Sequence, residues 1–254
     1  MGARPFFVGG REEAGRAGFE VRSPFDDSTV AEVGRAGPED VEAALAASVR
    51  GFRAIRATPA WKRAEILFSV ASRLSAEGER FARTIALEAG KPIVQARAEA
   101  ERAALTFRTA GEEALRIGGE TFPLDVLPGH EGRFALTRRF PVGPVACITP
   151  FNFPLNLVAH KLAPAIAAGC SFVLKPASRT PLSALDLASA LLEAGAPPEA
   201  VSVLPLAGTD ASPLVEDPRT RAVSFTGSPG VGWDLKRLAH RKKVVLELGG
   251  NAGL

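Results

Sequence analysis

Tyrosine is absent from the 254 residues, cysteine and tryptophan occur twice each, and methionine occurs once. The missing phenol excludes any mechanism that depends on a catalytic tyrosine. Two cysteines, Cys147 and Cys170, are too few for a disulfide framework, so a reducing, cytoplasmic location is expected. No apolar run approaches the roughly 20 residues of a membrane span, and the apolar segment within Met1 to Val8 is too short for a signal peptide. No membrane association is expected. The G-x-x-x-x-G-K-[ST] pattern is also missing, which disfavours a nucleoside triphosphatase. Basic residues exceed acidic ones by only three (31 against 28), and the arginines are scattered through expected helices. The one local block, Lys236-Arg237 through Arg241-Lys242-Lys243, reads as a solvated helix end, so nucleic acid is not an expected partner.

What is present is a globular composition, 46% hydrophobic and 23% charged, on a chain long enough for one large domain or two small ones. Residues 1–36 read as an irregular arm with short extended segments at Phe6–Val8, Phe19–Arg22 and Thr29–Val33. A helix follows from Pro38, with Val41, Leu45, Val49 and Phe52 on one face. A second is expected from about Pro59 until Gly90-Lys91-Pro92 stops it, and a third from Ile93 to about Leu115. None of the three carries a chemical motif, and packing is a sufficient explanation for them. Residues 117–141 read as a β-hairpin with arms Thr121–Leu127 and Phe134–Phe140. Apolar residues on both arms suit an oligomerisation element, unless the hairpin folds back over its own domain. From Val142 onward, apolar strands alternate with helices. The expected strands are Val145–Thr149, Ser171–Leu174, Val201–Leu204, Ala222–Phe225 and Val244–Leu248. This predicts an α/β fold, a doubly wound, Rossmann-like five-stranded parallel sheet. The expected division is an N-terminal arm with helices (1–116), the hairpin (117–141) and the Rossmann-like core (142–254).

Ligands of such sheets bind at the carboxyl ends of the strands, so the residues there are the candidates. Asn152, in Thr149-Pro-Phe-Asn-Phe-Pro154, could donate to an oxyanion, or could cap a helix starting at Pro154. Lys175, with Ser178 and Arg179 behind it, follows the second strand, where a nucleotide ribose and a 2′-phosphate would lie. A plain surface cluster is the alternative. Phe225-Thr-Gly-Ser-Pro-Gly-Val-Gly232 opens a helix, and Gly227 and Gly232 there permit close backbone approach to a phosphate or serve a simple turn. Glu247 ends an apolar strand, where partial burial would suit it to activating water; an acid sitting in solvent is the alternative. Cys147 and Cys170 read as buried fillers.

Taken in order, Glu88-Ala-Gly-Lys-Pro92, Thr149-Pro-Phe-Asn-Phe-Pro-Leu155, Lys161, Ala168-Gly-Cys-Ser-Phe-Val-Leu-Lys-Pro176, Phe225-Thr-Gly-Ser228 with Gly232, and Leu246-Glu-Leu-Gly-Gly250 closely resemble the aldehyde dehydrogenase superfamily. The resemblance covers the chain from the helical region onward. In that family a cysteine thiolate attacks an aldehyde, hydride passes to NAD(P)+, and water releases the acid. The resemblance implies Asn152 as oxyanion donor, Glu247 as general base, Lys161 as the active-site lysine, and an aldehyde as substrate. It further implies a cofactor-binding set of Thr149, Pro150, Phe151, Asn152, Lys175, Ser178, Arg179, Gly208, Gly227, Ser228, Gly232 and Leu248. The cofactor is NAD or NADP: where many NAD-preferring members carry glutamate, this chain has Ser178, which removes a carboxylate that would repel a 2′-phosphate. The nucleophilic cysteine of the family comes later than Leu254, and neither Cys147 nor Cys170 aligns with it. The expectation is a truncated cofactor-binding half that forms a homo-oligomer or associates with a catalytic half. The rival expectation is a non-catalytic binding or assembly module. Short-chain reductases are disfavoured because their Tyr-Lys pair has no counterpart here.

Overall fold

The computed structural model describes residues 3–251. Two short strands, β1 (Phe6–Val8) and β2 (Arg11–Glu13), precede an antiparallel ribbon, β3 (Ala17–Arg22) and β4 (Thr29–Arg35). Four helices follow: α1 (Pro38–Ala57), α2 (Ala60–Ala76), α3 (Gly78–Ala89) and α4 (Ile93–Arg116). A hairpin, β5 (Thr121–Pro123) and β6 (Phe134–Leu136), leads to the alternating part. That part comprises β7 (Val145–Ile148), α5 (Asn156–Ala167), β8 (Phe172–Lys175), α6 (Leu182–Glu193), β9 (Val201–Val203), α7 (Ser212–Glu216), β10 (Ala222–Gly227), α8 (Pro229–Leu238) and β11 (Lys243–Leu248).

The five parallel strands form as expected, in the order β11-β10-β7-β8-β9. Two more strands extend the sheet: β1 pairs antiparallel with β9 through Phe7 opposite Val203, and β2 lies outside it. Phe6, Phe7 and Val8 are all buried, so the arm contributes core as well as an edge. From β7 the chain winds through β8 to β9 in one direction, then crosses back to β10 and β11 on the other side. The switch point therefore lies between β7 and β10, and a crevice opens where their following loops diverge.

Three local departures from the sequence reading have physical causes. The helix expected from Pro59 to Gly90 is two helices, broken at Glu77 (φ −102°, ψ 20°). Gly78 follows the break, where helical backbone is least favourable, and an apolar stripe that continues across the joint hides it from periodicity. The hairpin arms pair over only three residues each. Their apolar side chains stay uncovered by the rest of the chain, with Val126 75% and Phe134 67% exposed. Finally, α5 begins at Asn156 rather than Pro154, with Leu155 at the N-cap and no side chain of its own as cap.

The missing cap is supplied from a distance. Leu155 N and Asn156 N donate to Glu99 Oε1 of α4 at 3.0 and 3.1 Å. The same device recurs at α6, where Leu182 N and Ser183 N donate to the two carboxylate oxygens of Glu88 at 2.7 and 2.9 Å, joined by the Ser183 hydroxyl. Both glutamates are about 1% exposed. Four backbone amides that the helix geometry leaves without partners are thus satisfied by carboxylates from the helical layer, in the part of each helix where negative charge is favoured. The view that these N-terminal helices serve packing alone is corrected by this observation.

Burial pushes the Glu88 carboxyl up to about 7, against the opposing hydrogen bonds from Ser183 and Leu182. The folded state then holds a proton between the ordinary value of 4.5 and about 7 that the unfolded state releases. Stability from this group is present below about 4.5 and is lost as pH rises through about 7. Glu88→Ala should cost about 2–4 kcal/mol in urea unfolding at pH 5, with the deficit shrinking toward pH 8. A deficit that grows with pH would contradict the assignment. Cys147 and Cys170 are buried, as expected, and burial drives the Cys147 thiol up to about 12. Iodoacetamide at pH 8 should leave both unmodified in the native chain and label both in urea, as read by intact mass.

Candidate functional site

The loops after β7, β8 and β10 surround a crevice of about 300 Å³ at the carboxyl ends of the strands. The chain leaves β7 at Ile148, and Thr149 N still donates to Lys175 O at 3.2 Å before Pro150 and Phe151 turn away. Thr149, Pro150, Phe151, Lys175, Ser178, Arg179, Gly208, Gly227 and Ser228 all line this space. Nine residues scattered over 80 positions are therefore brought to one place by the winding of the sheet. Asn152, Gly232 and Leu248 lie outside the lining.

Lys175 is the most telling member of the set. It is 7% exposed, and burial lowers its pKa. Among the described residues its ammonium has no hydrogen-bond or carboxylate partner, so its donors are available to a ligand in the crevice. Ser178 is exposed and donates to Leu206 O at 3.2 Å, which leaves its oxygen lone pairs free to accept. Arg179 is exposed, its guanidinium standing 5.9 Å from the centre of the Phe151 ring. Neither Phe151 nor Ser178 offers it a negative charge.

The ends of three helices differ in a way that decides where a phosphate could sit. The first amides of α5 and α6 already donate to Glu99 and Glu88. At α8, Ser228 is the N-cap residue, Pro229 has no amide hydrogen, and no side chain caps the turn. The amides of Gly230 and Val231 have no partner within the helix, so this end, beside the crevice, is not closed by a protein carboxylate. Gly232 also meets a packing demand. A Cβ there would come within 2.3 Å of Leu248 Cδ2, so its bare backbone lets α8 pack on β11. Similarly, a Cβ at Gly227 would meet the Phe225 ring at 2.5 Å.

Sequence reading missed the apolar wall of the crevice, formed by Ala211, Phe225, Val231 and Leu235. Val231 and Leu235 are one turn apart on α8, a spacing visible in the sequence just after the glycines. It reads as ordinary core until the sheet places it beside Lys175.

Asn152 is exposed, and its side-chain amide makes no hydrogen bond among the described residues. The helix-cap role open to it from the sequence is filled by Glu99, so its two amide donors are uncommitted. Lys161 is buried on α5 and donates to Ser224 Oγ at 3.1 Å and Thr226 Oγ1 at 2.9 Å of β10. Burial lowers its pKa, while the charge of Glu247 acts in the other direction. Glu247 stands in register with Thr226 and shares the sheet face covered by α5. Of the two placements open to Glu247 from the sequence, the structure shows the exposed one: β11 is the edge of the sheet, and Val245 beside it is 58% exposed.

Known proteins resemble this chain over nearly its whole length. The aldehyde dehydrogenase family profile matches residues 11–254. A 3-sulfolactaldehyde dehydrogenase of Priestia aryabhattai is 42% identical over 247 residues, 97% of this chain and 51% of that protein. Among solved structures, aldehyde dehydrogenase 21 from Physcomitrella patens, in complex with the reaction product succinate, superposes with a TM-score of 0.94 at 43% identity, over 98% of this chain and 52% of that one. An NADP-dependent glyceraldehyde-3-phosphate dehydrogenase from Bacillus halodurans C-125, complexed with NADP, gives 0.93 at 31% identity, over 98% and 53%. The chain spans about half the length of the curated relatives it matches. With the motifs, the switch-point crevice and these likenesses in agreement, the chain belongs to the aldehyde dehydrogenase family.

Proposed function

We propose that this chain is the NAD(P)+-binding part of an enzyme that oxidises an aldehyde to a carboxylic acid. The observation that carries the reading is a pairing within one crevice. A buried, unpartnered Lys175 ammonium faces the same space as the only one of the three helix ends, among α5, α6 and α8, whose first amides are not already taken. A dinucleotide matches that pairing chemically. Its ribose hydroxyls would accept from Lys175, its pyrophosphate would lie on the Gly230 and Val231 amides, and its adenine would rest against Val231 and Leu235. When bound, the nicotinamide would serve as hydride acceptor.

The residues of this chain then take the following roles. Thr149, Pro150 and Phe151 form the floor between β7 and the cofactor, with Gly208 bordering the far side. Gly227 and Ser228 lead the chain to the pyrophosphate, and Gly232 and Leu248 set the depth at which α8 lies on the sheet. Asn152 presents a neutral donor to the oxygen of the attacked carbonyl, a role worth several kcal/mol when the donor is fixed in advance. Lys161 holds the hydroxyl groups of Ser224 and Thr226 on β10, and Glu247 accepts the proton of the hydrolytic water. Residues 1–116 form the arm and helices, 117–141 the oligomerisation hairpin, and 142–254 the dinucleotide-binding core. The uncovered hairpin apolar groups and the bare face of β11 support association with further copies or with a catalytic half.

Tolerance of NADP+ alongside NAD+ follows from Ser178 and Arg179, which set no carboxylate against a 2′-phosphate and supply one cation to it. Isothermal titration calorimetry of the purified chain should detect both cofactors. Lys175→Ala should weaken each about tenfold, equivalent to about 1.4 kcal/mol. Arg179→Ala should weaken NADP+ and leave NAD+ unchanged. Absence of binding by either cofactor, or equal loss of both on Arg179→Ala, would count against the reading.

A further inference from the structure

Four positions at Asn152, Phe153, Leu155 and Asn156 are gripped from the helical layer rather than from the sheet that carries them. Lys91 Nζ donates to the Asn152 carbonyl oxygen at 2.8 Å. The same ammonium lies 3.7 Å from the centre of the Phe153 ring, which Arg102 approaches at 5.6 Å. It also pairs with Glu99 Oε2 at 2.5 Å, while Glu99 Oε1 accepts from Leu155 N and Asn156 N. The side chain of Glu99 is fully buried and that of Lys91 is 11% exposed. Next to this cluster, the Thr106 hydroxyl reaches Asn156 Oδ1 at 3.4 Å.

The geometry points to Lys91 and Glu99 as positioning residues that fix the direction in which Asn152 presents its side-chain amide. Neither touches the crevice. Lys91 is delivered by the turn at Gly90, whose left-handed φ of +64° ends α3 and swings the chain toward α4. Glu99 lies two turns further on. Together they make a single bridge: a carboxylate that caps α5, an ammonium that neutralises it, and a carbonyl at Asn152 that takes a second donor of that ammonium.

The physical argument rests on what the loop would be without the bridge. Pro150 and Pro154 remove two amide donors from the segment, and the Asn152 side chain makes no bond of its own. Nothing in the sheet fixes the peptide between Asn152 and Phe153, so Lys91 sets its orientation from one side and Glu99 sets the start of α5 from the other. A donor acts on a developing charge only when it is held in place beforehand, and such support comes from packed, hydrogen-bonded neighbours. Cutting the ion pair leaves Glu99 buried without its counter-charge, so the two residues act as a unit.

This inference depends on reading Asn152 as an oxyanion donor, and its test separates the two. The variants are Lys91→Met, which keeps the aliphatic stem and removes the donors, and Lys91→Arg, which restores a cation. In the ¹⁵N-labelled chain, Lys91→Met should shift the Asn152 side-chain amide signals. It should also speed exchange of the Leu155 and Asn156 amides about tenfold or more while Ala146 and Val173 in the sheet are unchanged, and Lys91→Arg should return both toward wild type. Uniform acceleration across the chain, or unmoved Asn152 signals, would overturn the proposal by showing a contribution to stability only. Should Lys91→Met fail to fold, Phe153→Leu removes the ring beneath the ammonium and is read by the same signals with the same criteria. Titration with NAD+ and NADP+ runs in parallel. Wild type that binds neither, with the local response to Lys91→Met intact, would sink the cofactor reading and leave the clamp supported.

Discussion

Two buried carboxylates hold this structure together at the point where its two layers meet. Glu88 and Glu99 leave the helical layer, cross to the doubly wound core, and end on the first amides of α6 and α5. Burying a carboxylate is costly unless it is fully hydrogen-bonded, and here each meets several donors that would otherwise be orphaned. The exchange ties the two layers by directional bonds as well as by apolar contact. Asp186 adds a third link, since it accepts from Arg4 of the arm and from Arg80 of α3 at one nearly buried site.

The same bonds partition the ends of the helices between structure and ligand. In a doubly wound sheet, any helix that follows a strand at the carboxyl edge could receive an anion. Here the helix after β7 and the helix after β8 already hold protein carboxyl groups, so both are closed to phosphate by occupancy. The helix after β10 is left open, with Gly232 seated on Leu248 to bring it close to the sheet. Site position is therefore decided by subtraction as much as by the glycine-containing loop itself.

Placement also changes what individual residues can do. Lys175 is a strand-end lysine in the sequence and, in the fold, a desolvated donor without a partner among the described residues. Lys161 reads as a mid-helix lysine, yet it crosses to β10 and holds two hydroxyl groups. Glu247, which the sequence left open between half-buried and solvated, is an exposed carboxylate on an edge strand whose neighbour Val245 is bare. In each case the outcome depends on which element covers the residue, and that is a property of topology.

The sequence by itself determined the local periodicities. The apolar runs at Val145–Ile148, Phe172–Lys175 and Lys243–Leu248, the proline and glycine stops, and the hairpin between Thr121 and Leu136 are all legible from spacing, because strand and helix periods act over a few residues. Most of the residues that line the crevice were also legible, since motifs at strand ends are recognisable once a parallel sheet is expected. Joining of β1 and β2 to the sheet, the break at Glu77, and the apolar wall of Val231 and Leu235 were not. The roles of Glu88, Lys91 and Glu99 were hidden most completely, because each bonds to residues 56 to 95 positions away. A charged residue on a helix looks the same in sequence whether it meets water or the open end of another helix. Only the tertiary structure, by burying the carboxylates against unsatisfied amides, decides which.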